Sequence, residues 1–362
     1  KWGILIEKES ESLEFIGLEI PRDYKKIRRI KMQNLKNVRI RDIEVYHPDN
    51  VMDIECCVNH FKRLGRDTEH YLKDVLGRKK KYVINQNSDE NSLTMAVHAS
   101  KRVLKKTGLT GKDIDLICLA TVSPEYNVPP TALCLHKAIE GSDHAMCFDI
   151  NLNCVGMCYA FELVYKYMCL TEKVNRVLLV GSDYLTYLSD EESAFAYGGF
   201  ADSACALILE KTKQDSRLIG CNSAVDSEEV VQGKGPYCGY SHLKTAARKD
   251  MLNKTQDYKV NTKMALEIMT SLMDECSVGV EDIRMFCFSQ VAKKAIKILQ
   301  NKLGISSEQI TFIAEKYGYT GCSSPFIAFY EAVKAGKIHR GDYVFFWTVG
   351  FATQQTCFLI KY

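Results

Sequence analysis

Apolar positions along the chain alternate between two rhythms. Val38–Tyr46, Ile114–Val122, Ala145–Leu152, Arg176–Val180 and Ala204–Leu209 are short apolar runs, the pattern of strands. Ile114–Val122 is continuously apolar, as a strand covered on both faces should be. Between these runs the period lengthens. Asn91–Lys106 carries Leu93, Met95, Ala96, Ala99, Val103 and Leu104 on one helical stripe, and Gly108 stops it. Thr131–Ile139 follows Pro129 and Pro130. Val155–Leu170 sets Val155, Cys158, Phe161, Val164, Tyr165 and Met168 on the helical period. A second cycle begins near Arg217. It predicts helices over Val260–Cys276, Ala292–Leu303 and Gly321–Ala335, and strands over Arg284–Phe288, Tyr343–Thr348 and Gln355–Ile360. Two rounds of alternation predict layered α/β with a largely buried sheet. The repeat is one of architecture, with no repeated sequence.

Two stretches stand outside this rhythm. Trp2–Ile6 and Leu13–Ile20 alternate around the polar turn Lys8–Glu11 and predict a hairpin, followed by the basic run Tyr24–Lys31. Residues 1–35 therefore read as an N-terminal extension. Residues 227–256, with Gly233, Gly235, Pro236 and Gly239, read as an insertion or lid. Gly233-x-Gly235 is a poor dinucleotide fingerprint, because its third glycine is misplaced and no strand leads into it.

Composition narrows the class. The 362 residues suggest about two domains at roughly 150 residues each. With 46% apolar and 26% charged residues, a packed globular protein is expected, which excludes a disordered, collagen-like or coiled-coil chain. A net charge of +3, evenly spread, argues against nucleic acid. No apolar run approaches the roughly 18 residues of a membrane span, and Lys1–Arg29 shows no signal peptide, so a cytoplasmic protein is expected. Fifteen cysteines in such a chain argue for buried thiols rather than disulfides. No C-x2-C pair occurs, and Cys154-x3-Cys158 has no second pair, so no metal site is expected.

Cys154 is distinct among them. It follows a buried strand at once and opens an amphipathic helix. At that elbow the helix's positive end and its free amides favour thiolate, the nucleophilic form. Gly156 permits close approach of backbone or substrate.

Here the residues carry a resemblance. Phe148-Asp149-Ile150-Asn151-Leu152-Asn153-Cys154-Val155-Gly156-Met157 resembles the active-site segment of ketoacyl-ACP synthase III proteins of the thiolase superfamily. Leu178–Asp183, Phe200–Leu207 and Glu315–Ser324 resemble later family segments in the same order, over about residues 36–362. The resemblance implies a thiolase fold: two similar βαβαβαββ halves in five layers, 36–213 with the nucleophile and 214–362. It implies an acyl-thioester on Cys154, and an acyl-CoA or acyl-carrier-protein thioester as substrate with no resident cofactor. It also implies a homodimer, or a heterodimer with a paralogous synthase. In that dimer the loop Ser123–Pro130 would enter the partner's acyl pocket, with Val128 where the housekeeping enzymes carry phenylalanine.

Departures from the family decide the expected chemistry. Ser289-Gln290 stands where the family has His-Gln, and Tyr319 stands where Gly-Asn-Thr supplies asparagine. Both decarboxylation groups are thus replaced while Cys154 is kept. Serine is no base at neutral pH, whereas Ser289, Tyr319 and the Gln290 amide can each donate a hydrogen bond. The resemblance places an oxyanion amide on Ala352, in the turn Val349-Gly350-Phe351-Ala352, with Asn153, Gly350 and Phe351 around the substrate. The family's CoA-clamping tryptophan and arginine fall at about His70 and Asp74. Arg78, Lys79, Lys80 and Lys81 then mark an entrance for the carrier protein or CoA. The reading that follows is an acyltransferase of a specialised pathway, fatty-acid- or polyketide-like, working without decarboxylative condensation. A non-catalytic scaffold subunit and a decarboxylative synthase with new residues are the alternatives.

Overall fold

The computed structural model describes residues 37–228, 233–245, 252–253, 262–351 and 353–362. The hairpin over Trp2–Ile6 and Leu13–Ile20, the basic run Tyr24–Lys31 and Ala352 lie outside the described residues. The compact body spans Lys36–Tyr362.

Its first half lays down β1 (Val38–Tyr46), β2 (Val51–Asp53), β3 (Lys80–Tyr82), β4 (Leu116–Ala120), β5 (Met146–Ile150), β6 (Arg176–Tyr184) and β7 (Asp202–Lys211). Five of these form a sheet in the order β1-β7-β6-β4-β5, and β2 pairs with β3 in a separate ribbon. β4 runs parallel to β5 and β6, whereas β7 is antiparallel to β6 and β1. The second half supplies β8 (Arg217–Ala224), the short pair β9 (Gly233–Lys234) and β10 (Leu252–Asn253), then β11 (Ile283–Phe288), β12 (Tyr343–Val349) and β13 (Gln355–Lys361). Its sheet runs β11-β12-β13-β8.

The two sheets share one plan. β11 is parallel to β12, and β13 is antiparallel to both β12 and β8, matching β4, β6, β7 and β1. The place of β5 is reduced in the second half to a single parallel bridge, Phe286–Ile310. The halves are therefore similar but unequal, with five strands against four among the described residues.

Five layers result. The helices Gly156–Leu170 and Ser324–Lys334 lie between the sheets and touch both. The helices Ser92–Thr107 and Thr131–Ala138 cover the outer face of the first sheet, and Thr262–Cys276 and Lys293–Leu303 cover the second. This is the α/β thiolase fold expected from the resemblance. Local signals act as anticipated. Asn91 accepts from the Thr94 amide while its own amide donates to the Thr94 hydroxyl, and Gly108 ends that helix at φ +67°. β4 is buried along its whole length. Phe161, on the helix behind Cys154, stacks on Phe358 of β13 at 4.8 Å, and Phe358 stacks on Phe346 at 4.6 Å. These aromatic contacts fix the central helix against the second sheet.

Candidate active site

Cys154 lies between the end of β5 and the helix Gly156–Leu170. Asn153 turns the chain there with φ +46°, an uncommon conformation for a non-glycine residue. The Gly156 amide donates to Asn153 O at 3.0 Å and closes the turn. The Thr348 hydroxyl of β12 donates to Cys154 O at 3.1 Å, so the second half holds the nucleophile's own backbone. The Asn153 side chain presses on the turn after β12, where a Cβ on Gly350 would come within 1.6 Å of Asn153 Oδ1. A side chain at 350 would require the Asn153 amide to move.

Tyr319 meets Cys154 from that half. Its hydroxyl lies next to the Cys154 thiol and acts on its ionisation, and Ser289 lies beside it. The Tyr319 backbone is clamped on both sides: its amide donates to Gly199 O at 2.9 Å, and Ala201 N donates to Tyr319 O at 2.9 Å. Its ring packs against Phe200 at 6.1 Å. Ser289 is fixed by its amide, which donates to Trp347 O at 2.8 Å. The Ser289 hydroxyl acts electrostatically on Tyr319 but has no hydrogen bond of full geometry. The side-chain oxygens of Asn153 and Thr320 are likewise buried and unpaired. Each such oxygen costs about 1–3 kcal/mol. Three of them, on Asn153, Ser289 and Thr320, belong to residues at or next to the Cys154–Tyr319 pair.

The thiol itself departs from expectation. Cys154 is only 6% exposed. Burial pushes its pKa up to about 12, against the lowering effect of the Tyr319 hydroxyl, and the buried Asp183 carboxylate adds to the rise. The helix terminus does not deliver the expected thiolate, because desolvation outweighs it and, among the described residues, no imidazole or ammonium offsets the charge. Burial, then the neighbouring Cys154, push the Tyr319 phenol well above its usual range, so Tyr319 acts as a donor and not as a base. Asp183 lies at the end of β6 and accepts from Val122 N and Cys322 N, each at 2.9 Å. Burial raises its carboxyl. Sequence reading passed over it, although a carboxylate ending a buried strand is itself a signal of function.

Other expected site residues fall elsewhere. Gln290 does not face Cys154. Its Nε2 donates to Phe288 O at 2.8 Å and Thr311 O at 3.2 Å, and its Oε1 accepts from Ile313 N at 2.8 Å, so it staples the 311–313 segment. The basic entrance is also corrected. Arg78 and Lys81 are buried. The Arg78 guanidinium bonds only carbonyls, and burial lowers its pKa to about 9. Lys81 donates to Tyr197 O and sits 5.2 Å above the Tyr197 ring. Lys80 is half-buried and lies opposite Asp53 in the β2–β3 ribbon. Lys79 is exposed and pairs with Glu315 at 2.6 Å. Alternation in β3 sends Lys81 inward, which a charge run cannot disclose.

The remaining positions are mixed. Gly350 N donates within its own turn to Gln354 O at 2.8 Å. Phe351 is half-buried, and a Cβ on Gly233 would meet its ring, so the 227–256 insertion reaches the turn beside Asn153. Val128 is 87% exposed. His70 and Asp74, the aligned clamp positions, bond each other at 2.9 Å on the surface. A cavity of about 230 Å³ lies under Thr311–Ile313 and includes none of the site residues. None of the fifteen cysteines is in a disulfide. Among the described residues there is no cluster able to hold a metal, and no helix long and apolar enough to cross a membrane.

Two similar halves, with a cysteine at a strand–helix junction of one met by a residue from the other, define a thiolase-fold protein. The comparisons agree. Residues 148–227 match the family described as 3-oxoacyl-[acyl-carrier-protein] synthase III, and residues 273–362 match its C-terminal region. The beta-ketoacyl-[acyl-carrier-protein] synthase III of Clostridium perfringens is 28% identical over 313 residues, 85% of this chain and 94% of that one. The crystal structure of the Aquifex aeolicus 3-oxoacyl-[acyl-carrier-protein] synthase III superposes with a TM-score of 0.79 at 24% identity, over 90% of this chain and 100% of that one. Xanthomonas campestris OleA gives 0.79 at 18% identity, over 91% and 99%. The chain is ketoacyl-ACP synthase III-like: its two matched segments, its relatives and its fold neighbours are all of that kind.

Proposed function

We propose that this protein transfers an acyl group through a thioester on Cys154, without decarboxylating a malonyl unit. The observation that carries this reading is the placement of the Tyr319 hydroxyl beside the Cys154 thiol, with buried, unpaired oxygens of Ser289, Thr320 and Asn153 on residues at or next to the pair. Unpaired buried oxygens are costly to maintain, and they suit a site whose partner is a substrate.

In the proposed step the Cys154 sulfur attacks the carbonyl of an acyl-CoA or acyl-carrier-protein thioester. The new carbon–sulfur bond forms as the old one breaks, and the Cys154 proton ends on the departing thiol. Tyr319 donates its O–H to the oxyanion, and one such donor contributes about 3–4 kcal/mol of barrier lowering. Among the described residues Gln290 is engaged elsewhere and does not take the place of the imidazole and amide pair expected for loss of carbon dioxide, which supports transfer without decarboxylation. We extend the proposal to a dimer built on the edge strand β5, where Met146 is exposed and the exposed Val128 follows β4.

The test is intact-protein mass after incubation with acyl-CoA or acyl-carrier protein. A mass gain that disappears in Cys154→Ala supports the transfer. A single observation favours the alternative of a non-catalytic partner subunit: the thiol is nearly covered, with its pKa raised to about 12. No Cys154-dependent gain, together with co-purification of a paralogue carrying histidine and asparagine, would establish that alternative.

A further inference from the structure

We propose that Arg78 is a positioning residue of the Cys154 site, its guanidinium tying together the two chain segments that carry Ser289 and Tyr319. The inference rests on the reading of Tyr319 as the donor to Cys154. Arg78 is 1% exposed and bonds no carboxylate. Its Nη1 donates to Leu76 O at 2.7 Å and its Nε to Gly199 O at 3.3 Å. Its Nη2 donates to Gln290 O at 3.1 Å and Val291 O at 2.8 Å.

Those acceptors are not arbitrary. Gly199 O is also the acceptor of the Tyr319 amide at 2.9 Å, so one carbonyl carries both the guanidinium and the tyrosine backbone. Gln290 and Val291 directly follow Ser289, whose amide is held by Trp347 O. The rigid fork of a guanidinium can span both turns at once; an ammonium cannot. Gly77, at φ +75°, makes the fork possible: a Cβ there would strike the Lys293 side chain at 2.7 Å and the Phe312 ring at 2.9 Å.

A buried cation without a counter-ion is an expensive way to fasten two loops, and apolar packing would be cheaper. Holding the backbones of Ser289 and Tyr319 in register beside Cys154 accounts for its use here.

The experiment needs no acyl substrate. Alkylation of Cys154 by iodoacetamide at about pH 9 is followed by peptide mass spectrometry in wild type, Arg78→Gln, Arg78→Lys, Tyr319→Phe and the Arg78→Gln/Tyr319→Phe pair. Melting curves check folding. Arg78→Gln is expected to slow alkylation about tenfold, with Arg78→Lys in between. In the Tyr319→Phe background Arg78→Gln should add little, because it acts through that tyrosine. Hydrogen exchange should quicken in peptides covering Ser289–Val291 and Gly318–Thr320, and hold steady in Leu116–Ala120. Unchanged or faster alkylation overturns the proposal, as does a fully additive double variant or a uniform rise in exchange. If Arg78→Gln does not fold, Arg78→Lys decides: a folded lysine variant with wild-type alkylation and exchange overturns it. A wild-type protein that takes no acyl group yet shows these ratios would remove the acyl-transfer reading and leave the role of Arg78 standing.

Discussion

Replacing Tyr319 by phenylalanine removes one hydroxyl and little else. The ring keeps its contact with Phe200, and the backbone bonds to Gly199 and Ala201 are untouched. What is lost is the hydroxyl that lies beside the Cys154 thiol and lowers its pKa. With the thiol pKa at about 12, thiolate at pH 8 is about one part in ten thousand. A hydrogen bond to a charged group contributes about 1.5–3 kcal/mol. At about 1.4 kcal/mol per unit, its loss raises the thiol by about one to two units. Alkylation of Cys154 by iodoacetamide, read by intact mass, should therefore slow about 10–100-fold. In both proteins the rate should rise about tenfold per pH unit from pH 7 upward, with no plateau near neutrality. The melting temperature should fall by only about 2–4 °C per kcal/mol lost. A phenylalanine variant that reacts as fast as wild type would refute the contact, and a wild-type plateau below pH 8 would refute the raised pKa.

Three further outcomes follow from particular contacts. Gly350→Ala drives a Cβ into Asn153 Oδ1, so the Cys154 turn should shift and thioester acylation should fall more than tenfold, measured by single-turnover kinetics. Gln290→Ala leaves the partners of a structural staple unpaired. It should cost about 3–5 kcal/mol in denaturant unfolding while the folded protein keeps an alkylation rate within about threefold of wild type; a large selective loss of reactivity would instead return Gln290 to the site. Glu210 concerns stability against pH. Burial favours its neutral form, but Arg39, Arg176 and Arg41 overcome this and hold the carboxyl at about 2, below the usual 4.5. A depressed carboxyl stabilises the fold above its unfolded pKa and loses that contribution as pH falls from about 4.5 toward 2. Glu210→Gln should therefore be about 1–3 kcal/mol less stable at pH 7, and the gap should close near pH 2.

Much of the fold was legible because buried sheets and amphipathic helices impose periods that survive in sequence. Val38–Tyr46 is a strand as read, and the helix over 155–170 begins one residue later, at Gly156. The helix Ile54–Arg63, capped by Asp53, was overlooked, since its cysteines and charged residues blur the stripe. The long helix read over Gly321–Ala335 opens as a 3-10 turn before Ser324. The second half's missing edge strand leaves no compositional trace, for one β-bridge at Ile310 reads like any short apolar stretch.

The site divides the same way. That Cys154 stands between a strand and a helix is a fact of order along the chain, and sequence alone settled it. Which groups meet there was decided by the packing of one half on the other, which brings Tyr319 to the sulfur, turns the Gln290 amide away and buries Arg78 and Lys81. Ionisation was decided there too. A helix terminus is a local feature that can be read from residues, but the solvent excluded by two sheets is a property of the assembled body, and in a low-dielectric interior that exclusion outweighs the helix and keeps the proton on the thiol.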